Sequence, residues 1–460
     1  MKKNYLLIAL LFISGLSFGQ YFSNQGLQTT HNNSGPIKSQ QLSKGNTETQ
    51  KLSNKKQMDS IFVNLYTGTT AIPYAKEIFT YTNAGNVATI ISFENDNQVM
   101  VKDTKEEYTY DANGRVVERH LLEWDNSTSQ WGEKSKEITS YTTTSYTITS
   151  FIWDVSTSLW SKINKKETLL NQNSLDSLTL SYSWNNQWNL NSRTHYTYNS
   201  NNDITLSLRE VKNGNNWVNN GKTEWTYDAN YNLLKASNFI WDSQNNVYIN
   251  SYIHKSGYDS QNNRIYDVDA SYDISNSSWN YYDSTIYTYS ANADLDSSFD
   301  YSWNGTSGSW ELESKSLMTY DNNYALSDLI LPMAMFDDDD LMYFNHMLTK
   351  MEGYGNSNGP WELAFVYDIY YSDFVAISID QAESNSISIA PNPAQDYFMV
   401  NMEGQQLIDI NIYDATGRLV KTQENTSDSK INIRDLKSGI YFLQIIDAKK
   451  QVYSSKLIKR

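Results

Sequence analysis

Apolar and polar residues alternate along most of the chain. Residues 178–184 place Leu, Leu, Tyr and Trp on one face of an extended segment and Thr, Ser and Ser on the other. The same period of two returns at 266–272 and at 299–303. Because this period is typical of antiparallel strands with one buried face, it predicts strands of about ten residues joined by short turns.

A unit of 28 to 31 residues repeats through this region. Nine positions open the copies: Tyr81, Tyr110, Tyr141, Leu170, Tyr198, Tyr227, Tyr258, Tyr289 and Tyr320. Large aromatic residues recur fourteen or twenty-one positions later, among them Trp124, Trp184, Trp241, Tyr272, Trp303 and Trp310. Stacked hairpins bury large aromatic side chains, so we predict that these six form the repeat core. The alternative is a surface platform for sugar rings.

The repeat predicts the fold class. One hairpin cannot bury its own face, so neighbouring hairpins must stack. With two strands in each of eight or nine units, we predict an all-β fold with a long antiparallel meander of about sixteen to eighteen strands. This meander forms a curved or two-layer β-shell, and a small immunoglobulin-like β-sandwich follows it. The sequence leaves open whether the large sheet is open, spiralled or closed.

Each unit begins with a turn motif. Residues 110–116 read Tyr-Asp-Ala-Asn-Gly-Arg-Val. The Asp111 carboxylate is expected to accept hydrogen bonds from turn amides, and Gly114 is expected to have a positive φ. The segment resembles the core of the YD repeat, the unit of Rhs-type and teneurin β-shells, and looser copies occur at 198–199, 227–230, 258–259 and 320–321. The resemblance implies a curved antiparallel sheet.

Composition divides the chain into five segments. Residues 1–19 have two lysines, an apolar run and a Ser-Phe-Gly end, which indicate a signal peptide. We predict a flexible polar leader at 20–55, the repeat domain at 56–372, a linker at 373–387 and a second domain at 388–460. No later segment has the length of about 20 apolar residues needed to span a membrane, so no integral membrane segment is expected after signal cleavage.

The second domain resembles the type A C-terminal sorting domain of type IX secretion. The matching positions are Pro391, Asn392, Pro393, Gly417, Gly439, Tyr441, Lys456 and Lys459. This resemblance implies that the type IX translocon recognises the domain and that a sortase-like peptidase removes it. The cargo is then released, or stays on the outer face of a Gram-negative outer membrane.

Charge and composition exclude several functions. The 460 residues carry a formal net charge of -16, which argues against nucleic-acid binding. There is no cysteine, so disulfides and thiolate chemistry are absent. None of the five histidines stands in a metalloprotease pair, and no Gly-x-Ser-x-Gly motif occurs. We therefore predict no catalytic residue, no metal site and no cofactor.

Two features of the segment before the last repeat strands need an interpretation. Asp337, Asp338, Asp339 and Asp340 form an acidic run. Contiguous acids on an extended chain point in opposite directions, so we interpret this run as a solvated loop and not as a calcium site. Residues 341–351 are expected to form one short helix.

The leading hypothesis is an exported, non-enzymatic protein with an adhesion, matrix or glycan-contact role. One alternative is an extracellular hydrolase of polysaccharide or peptide, for which two carboxylates within about 5–10 Å in a concave site would be evidence. Another alternative is an outer-membrane β-barrel, which requires a continuous lipid-facing apolar band. The more apolar face includes Glu118, His120 and Lys235, which argues against such a band.

Overall fold

The computed structural model describes residues 55–333, 344–355, 359–374, 387–402, 407–414, 419–423, 430–447 and 452–460. Two compact units, Met1–Ala376 and Ile377–Arg460, divide the chain. The predicted repeat domain lies within the first unit and the predicted sorting domain within the second. The signal peptide, the leader up to residue 54, most of the linker and the acidic run 337–340 lie outside the described residues.

The first unit is built almost entirely of strands. In chain order they are β1 Lys56–Thr67, β2 Thr70–Tyr81, β3 Val87–Asp96, β4 Val99–Tyr110, β5 Val116–Asp125, β6 Gln130–Tyr141, β7 Ser145–Asp154, β8 Leu159–Leu170, β9 Asp176–Trp184, β10 Trp188–Tyr198, β11 Ile204–Asn213, β12 Asn216–Tyr227, β13 Leu233–Asp242, β14 Val247–Tyr258, β15 Arg264–Asp273, β16 Ser278–Tyr289, β17 Leu295–Asn304, β18 Ser309–Ala325, β19 Leu329–Ile330, β20 His346–Gly355 and β21 Glu362–Asp373. A 3₁₀ turn, Leu326–Asp328, precedes β19. The all-β antiparallel prediction is confirmed, whereas the predicted helix at 341–351 is wrong, because β20 begins at His346.

The large sheet closes on itself. Strands β1 to β18 pair antiparallel with their neighbours in the chain, β18 pairs with β20, and β20 pairs with β21. Strand β21 then pairs antiparallel with β1, for example Ile369 with Ile61, and this closes a barrel. The short β19 adds a parallel pairing to β1.

In the described chain the barrel has twenty strands, not sixteen to eighteen. The sequence count missed β1, which precedes the first repeat tyrosine, and the hairpin β20–β21, whose spacing departs from the repeat.

The barrel sheet has two chemically different faces. One, the tyrosine face, carries the tyrosines that open the repeats. The other, the tryptophan face, carries the aromatic pairs of the hairpins, such as Trp124 opposite Trp131. A one-residue bulge recurs in successive hairpins, for example where Leu121 pairs with Ser135 but Leu122 pairs with Glu133. Bulges increase local twist and bend strands, which helps a long sheet to curve and close.

The repeat tyrosines join adjacent strands at their ends. Each hydroxyl donates a hydrogen bond to a backbone carbonyl of the preceding strand, over 2.7 to 3.2 Å. The donors are Tyr81, Tyr110, Tyr141, Tyr198, Tyr227, Tyr258, Tyr289 and Tyr320. Leu170 cannot form this bond, and Tyr371, outside the repeat spacing, forms an equivalent one to Leu348. The spacing in the sequence therefore reports a structural hydrogen bond at the strand ends.

The turn after Tyr110 has the predicted geometry, and several other repeats share it. The Asp111 Oδ1 atom accepts hydrogen bonds from the amides of Asn113 and Arg115, both at 2.9 Å. Gly114 has φ +76°, so the predicted positive φ is confirmed. Asn202 and Asn262 occupy the corresponding position of other repeats with φ of 70° and 67°.

We expect Gly114→Val to destabilise the protein by about 1–3 kcal/mol, because a β-branched residue is strained at a positive φ. Gly114→Asn is the matched control, since asparagine tolerates this conformation in two other repeats. Urea unfolding of the two variants and the wild type would measure the difference. Equal stability of the valine and asparagine variants would contradict the role assigned to this backbone angle.

The buried core of the barrel is concentrated on the tyrosine face near the closing strands. Its members come from β1, β2, β3, β20 and β21 and are Met58, Ile61, Val63, Phe79, Val87, Ile90, Met351, Phe365 and Tyr367. A smaller cluster joins Ile204, Trp225 and Ala236 on β11, β12 and β13. The apolar side chains of the first cluster exclude water at the seam where β21 meets β1, and we infer that their burial stabilises closure.

The second unit is a small two-sheet β-sandwich of seven strands. One sheet contains β22 Ile387–Ala390, β23 Tyr397–Met402 and β26 Lys430–Asn432. The other contains β24 Leu407–Asp414, β25 Leu419–Gln423, β27 Gly439–Asp447 and β28 Val452–Lys459. Both sheets contribute to one core, which includes Phe398 and Ile431 from the first and Ile410, Ile412 and Leu443 from the second. The two-sheet arrangement is as predicted, and the immunoglobulin-like comparison stays a prediction.

Candidate functional site

Aromatic pairs line one end of the tryptophan face. Each pair joins the two strands of a hairpin close to its turn, with ring centroids 4.8 to 5.2 Å apart and the rings edge to face. The pairs are Trp124–Trp131, Trp153–Trp160, Trp184–Trp188, Trp241–Tyr248, Tyr272–Trp279 and Trp303–Trp310. The period of two puts both rings on the same face, and the turn brings them into register. The result is a row of aromatic pairs along successive hairpins.

Cationic side chains from neighbouring strands lie over these rings. Lys102 Nζ is 4.1 Å from the ring centroid of Trp124, and Lys136 Nζ is 4.5 Å from that of Trp160. Further contacts of the same kind join Lys162 to Trp184, Arg193 to Trp217, Lys222 to Tyr248 and Lys315 to Trp361. Each cation comes from the strand that precedes the aromatic hairpin, so cation–π contacts connect one hairpin to the next.

Carboxylates neutralise part of this positive charge. Lys165 and Glu167 are 2.5 Å apart on β8, and Arg193 on β10 is 2.5 Å from Glu210 on β11. Lys222 and Glu224 form a further pair on β12. The tryptophan face is therefore aromatic and polar, with limited net charge.

The six residues predicted as repeat core lie on this face. Trp124, Trp184, Trp241, Tyr272, Trp303 and Trp310 are half-buried, and none belongs to the buried clusters of the described residues. Apolar neighbours on the same face are open to solvent, with Leu169 45% and Tyr266 42% exposed. Flat aromatic rings with accessible surface can pack against the apolar faces of sugar rings, while nearby charged groups can hydrogen-bond to sugar hydroxyls.

Carboxylates cluster on the tyrosine face of β15, β16 and β17. Asp269 pairs with Asp283 across the strands, and burial together with Asp300 and Asp269 raises the pKa of Asp283 to about 6. His254 Nδ1 lies 2.8 Å from Asp269 Oδ1. Burial lowers the pKa of His254, but hydrogen bonds to Asp267 and Asp269 outweigh burial and raise the pKa to about 9.

Protein hydroxyls already satisfy much of this carboxylate cluster. Ser314 Oγ donates to Asp300 Oδ2 at 2.6 Å, Thr285 Oγ1 donates to Asp300 Oδ1 at 2.9 Å, and the Tyr287 hydroxyl donates to Asp267 Oδ2 at 2.8 Å. Such internal bonds are typical of a structural network. Within the described ranges, no group of three or more His, Asp or Glu side chains could hold a metal ion.

The predicted sorting residues gather at one edge of the second unit. Asn392 Nδ2 donates to the Lys456 carbonyl at 2.7 Å, and the Ile458 amide donates to Asn392 Oδ1 at 2.8 Å. The side chain thus links the segment Pro391–Asn392–Pro393 to the last strand. Gly439 pairs with Lys459, and Tyr441 pairs with Leu457.

The exposure of the sorting residues differs. Pro391, Asn392, Pro393, Gly439 and Lys456 are exposed, whereas Tyr441 is buried in the core. The Tyr441 hydroxyl donates to the Lys437 carbonyl at 2.8 Å. Gly417 lies outside the described residues. Sequence reasoning missed Asn392 as the link between both ends of the domain, because the hydrogen bonds join residues more than sixty positions apart.

No helix in the part of the chain that the structure describes is long and apolar enough to cross a membrane.

Two segments of the chain match protein families. Residues 53–172 match a family of unknown function, DUF3836. Among solved structures, a DUF3836 family protein from Parabacteroides distasonis is 19% identical, with 21% of this chain and 89% of that chain covered and a TM-score of 0.18. A porin-like protein from Bacteroides uniformis is 10% identical, with 68% of this chain and 98% of that chain covered and a TM-score of 0.30.

One curated relative and one further family model also match the chain. An endo-acting ulvan lyase from Formosa agariphila is 31% identical over 88 residues, which are 18% of this chain and 17% of that protein. The chain therefore spans about a sixth of the length of this curated relative. Residues 388–460 match the secretion system C-terminal sorting domain. The chain thus carries a type IX secretion sorting domain and is a secreted or cell-surface protein.

Proposed function

We propose that this chain is an exported, non-enzymatic protein that contacts glycan through the tryptophan face of its barrel, in an adhesion or matrix role. The row of half-buried aromatic pairs with cations over their rings carries this proposal. Equivalent rings on successive hairpins suit an extended polymer, because repeated weak contacts add their effects along one ligand. The type IX translocon and a sortase-like peptidase act on the sorting domain during export.

The chemistry of the described residues supports binding over hydrolysis. A glycosidase pair needs two carboxylates facing substrate across a concave site. Here Asp267 and Asp300 accept hydrogen bonds from protein hydroxyls, and His254 is bonded to Asp269. Polysaccharide or peptide hydrolysis is therefore the less favoured function.

Charges on both faces disfavour an outer-membrane role for the barrel. On the tryptophan face, Lys165 and Lys222 lie within strands. On the tyrosine face, Glu77, Arg119 and Arg209 do so. A lipid-facing surface needs an apolar band, and a charged side chain near the bilayer midplane costs about 2–4 kcal/mol.

We also propose that the hairpins are YD-like repeats. The tyrosine hydroxyl bond to the neighbouring strand and the Asp111-type turn recur together, for example at Tyr227 with Asp228 and at Tyr258 with Asp259. A shared motif with a shared structural role supports the resemblance to Rhs-type β-shells.

A polysaccharide-binding screen with the mature protein tests the proposed function. We expect retention on at least one extracellular glycan, and loss of roughly five- to tenfold in apparent affinity for each aromatic pair removed, as in Trp184→Ala with Trp188→Ala. Tyr110→Phe is the control, because it changes an aromatic residue on the tyrosine face and keeps the ring. Absence of binding to any glycan, or equal binding by the tryptophan variant, would contradict the proposal.

A further inference from the structure

A polar cavity of about 490 Å³ lies on the tyrosine face between β6 and β11. Its lining includes Glu137, Ser150, Asn164, Lys166, Ser192 and Arg209. This volume lies within the range of about 300–1,000 Å³ that is usual for small-molecule sites. Lys165 and Tyr182 of the tryptophan face also border the cavity, but none of the paired tryptophans lines it.

Two cations in this cavity lack a carboxylate partner. Lys166 on β8 pairs across the strands with Ile148 and Ser181, and Arg209 on β11 pairs with Thr194. Neither cation has a carboxylate within 4.0 Å among the described residues. They stand out in a chain with a net charge of -16, because most other basic side chains near them form ion pairs.

Arg119, another cation on the tyrosine face, has a carboxylate partner. Arg119 donates to both carboxylate oxygens of Glu106, at 2.9 and 2.6 Å. Burial lowers the pKa of the Arg119 guanidinium, but the hydrogen bonds and the charge of Glu106 outweigh burial and keep this pKa above its usual range. The charge of Glu137, which lines the cavity, acts in the same direction. Arg119 lies directly across the strands from Glu137. The lining holds Lys165, Lys166 and Arg209 against the carboxylate of Glu137, so cations outnumber carboxylates in the cavity.

The remaining lining groups are hydroxyls and amides. Ser150 Oγ donates to Glu137 Oε1 at 3.2 Å, and Ser181, Ser192 and Asn164 supply further donors and acceptors. Lys166 and Asn164 are open to solvent, so a ligand can reach them. We propose that this cavity binds an acidic sugar, with its carboxylate or sulfate on Lys166 and Arg209 and its hydroxyls on the serine and asparagine side chains.

Calorimetric titration of the mature full-length protein tests this site with three probes, glucuronic acid, glucose 6-sulfate and uncharged glucose. We expect both acidic sugars to bind at least tenfold more tightly than glucose, because charge-assisted hydrogen bonds to Lys166 and Arg209 are stronger than neutral ones. Lys166→Met and Arg209→Met should each weaken binding of the acidic sugars by about tenfold. Lys134→Met is the matched control, since Lys134 is already paired with Glu123 at 2.9 Å and does not line the cavity.

Several outcomes would overturn the assignment. Equal binding of glucose would remove the role of charge, and unchanged binding by both cavity variants would place the site elsewhere. Sodium sulfate binding as tightly as the sugars would reduce the site to one for a simple anion. No heat with any probe at millimolar concentration would reject it. Loss of polymer binding in Trp303→Ala with Trp310→Ala leaves this result unaffected, because neither residue lines the cavity.

Discussion

Deletion of residues 388–460 is expected to stop export of the barrel unit and leave it in the periplasm. Because the type IX sorting domain directs secretion to the surface or medium, loss of the domain should remove the signal that the translocon recognises. Fractionation of the host bacterium, with immunodetection of periplasm, surface and medium, would measure this. Normal surface levels of the truncated protein would show that the barrel unit itself carries an export signal.

Asn392→Ala gives a graded version of the same experiment. The substitution removes both hydrogen bonds that link the Pro391–Asn392–Pro393 segment to the last strand. We expect slower export of this variant with the domain still folded, because the buried core does not include Asn392. Asp396→Ala is the control, since its ion pair to Arg434 is exposed and contributes little to stability.

The second large effect is expected at Glu77. This carboxyl lies in the apolar seam of the barrel, and its Oε2 atom has no hydrogen-bond partner among the described residues. Ser92 Oγ lies 3.4 Å from Oε1. Burial, with a smaller contribution from the Glu106 charge, raises the pKa of Glu77 from 4.5 to about 8.

The raised pKa predicts the direction of the pH dependence. Between about pH 4.5 and 8 the folded protein binds a proton on Glu77 that the unfolded chain does not, so stability falls as the pH rises through this range. Glu77→Gln keeps a neutral polar group of the same size and removes this dependence. We expect the variant to match the wild type near pH 5 and to be more stable by about 4–5 kcal/mol at pH 9, taking 1.36 kcal/mol for each pH unit.

Urea unfolding at pH 5, 7 and 9 would measure these differences. Glu123→Gln is the control, because Glu123 is largely exposed and paired with Lys134.

The turn aspartates affect stability only at acid pH. Hydrogen bonds from Ser127 and Thr128 lower the pKa of Asp125 to about 2. Their contribution is present above about pH 4 and is lost as the pH falls towards 2, in wild type and variant alike. Identical pH profiles for wild type and Glu77→Gln above pH 5 would contradict the pKa assigned to Glu77.

The local features of the barrel were readable because they depend on neighbours in the chain. The alternation at 178–184 predicted β9, and the motif at 110–116 predicted a turn with a positive φ at Gly114. The tyrosine spacing located the strand ends. These signals survive in one sequence because each turn and each hairpin is formed by residues close to each other in the chain.

The sequence did not predict which of the two sheet faces is more buried. Alternation shows that Trp241 and Phe239 share a face, but it does not show which face buries more area. The sequence favoured the tryptophan columns as core because the aromatic residues recur in successive repeats and bury a large area when hairpins stack. In the structure the buried clusters lie on the tyrosine face, and the tryptophans stack as half-buried pairs under lysines. The cavity with Lys166 and Arg209 had no local signal, because six strands line it.

By itself the sequence determined the all-β class, the hairpin repeat, the turn chemistry and the export route, since each is encoded in short segments or in a compact motif series. Only the tertiary structure decided that twenty strands close into one barrel, because closure depends on β21 pairing with β1 across more than three hundred residues. The tertiary structure also determines that Glu77 is buried beside the apolar side chains of the closing strands. Such long-range pairings leave no periodic trace, because the partners share neither a turn nor a neighbouring strand in the sequence.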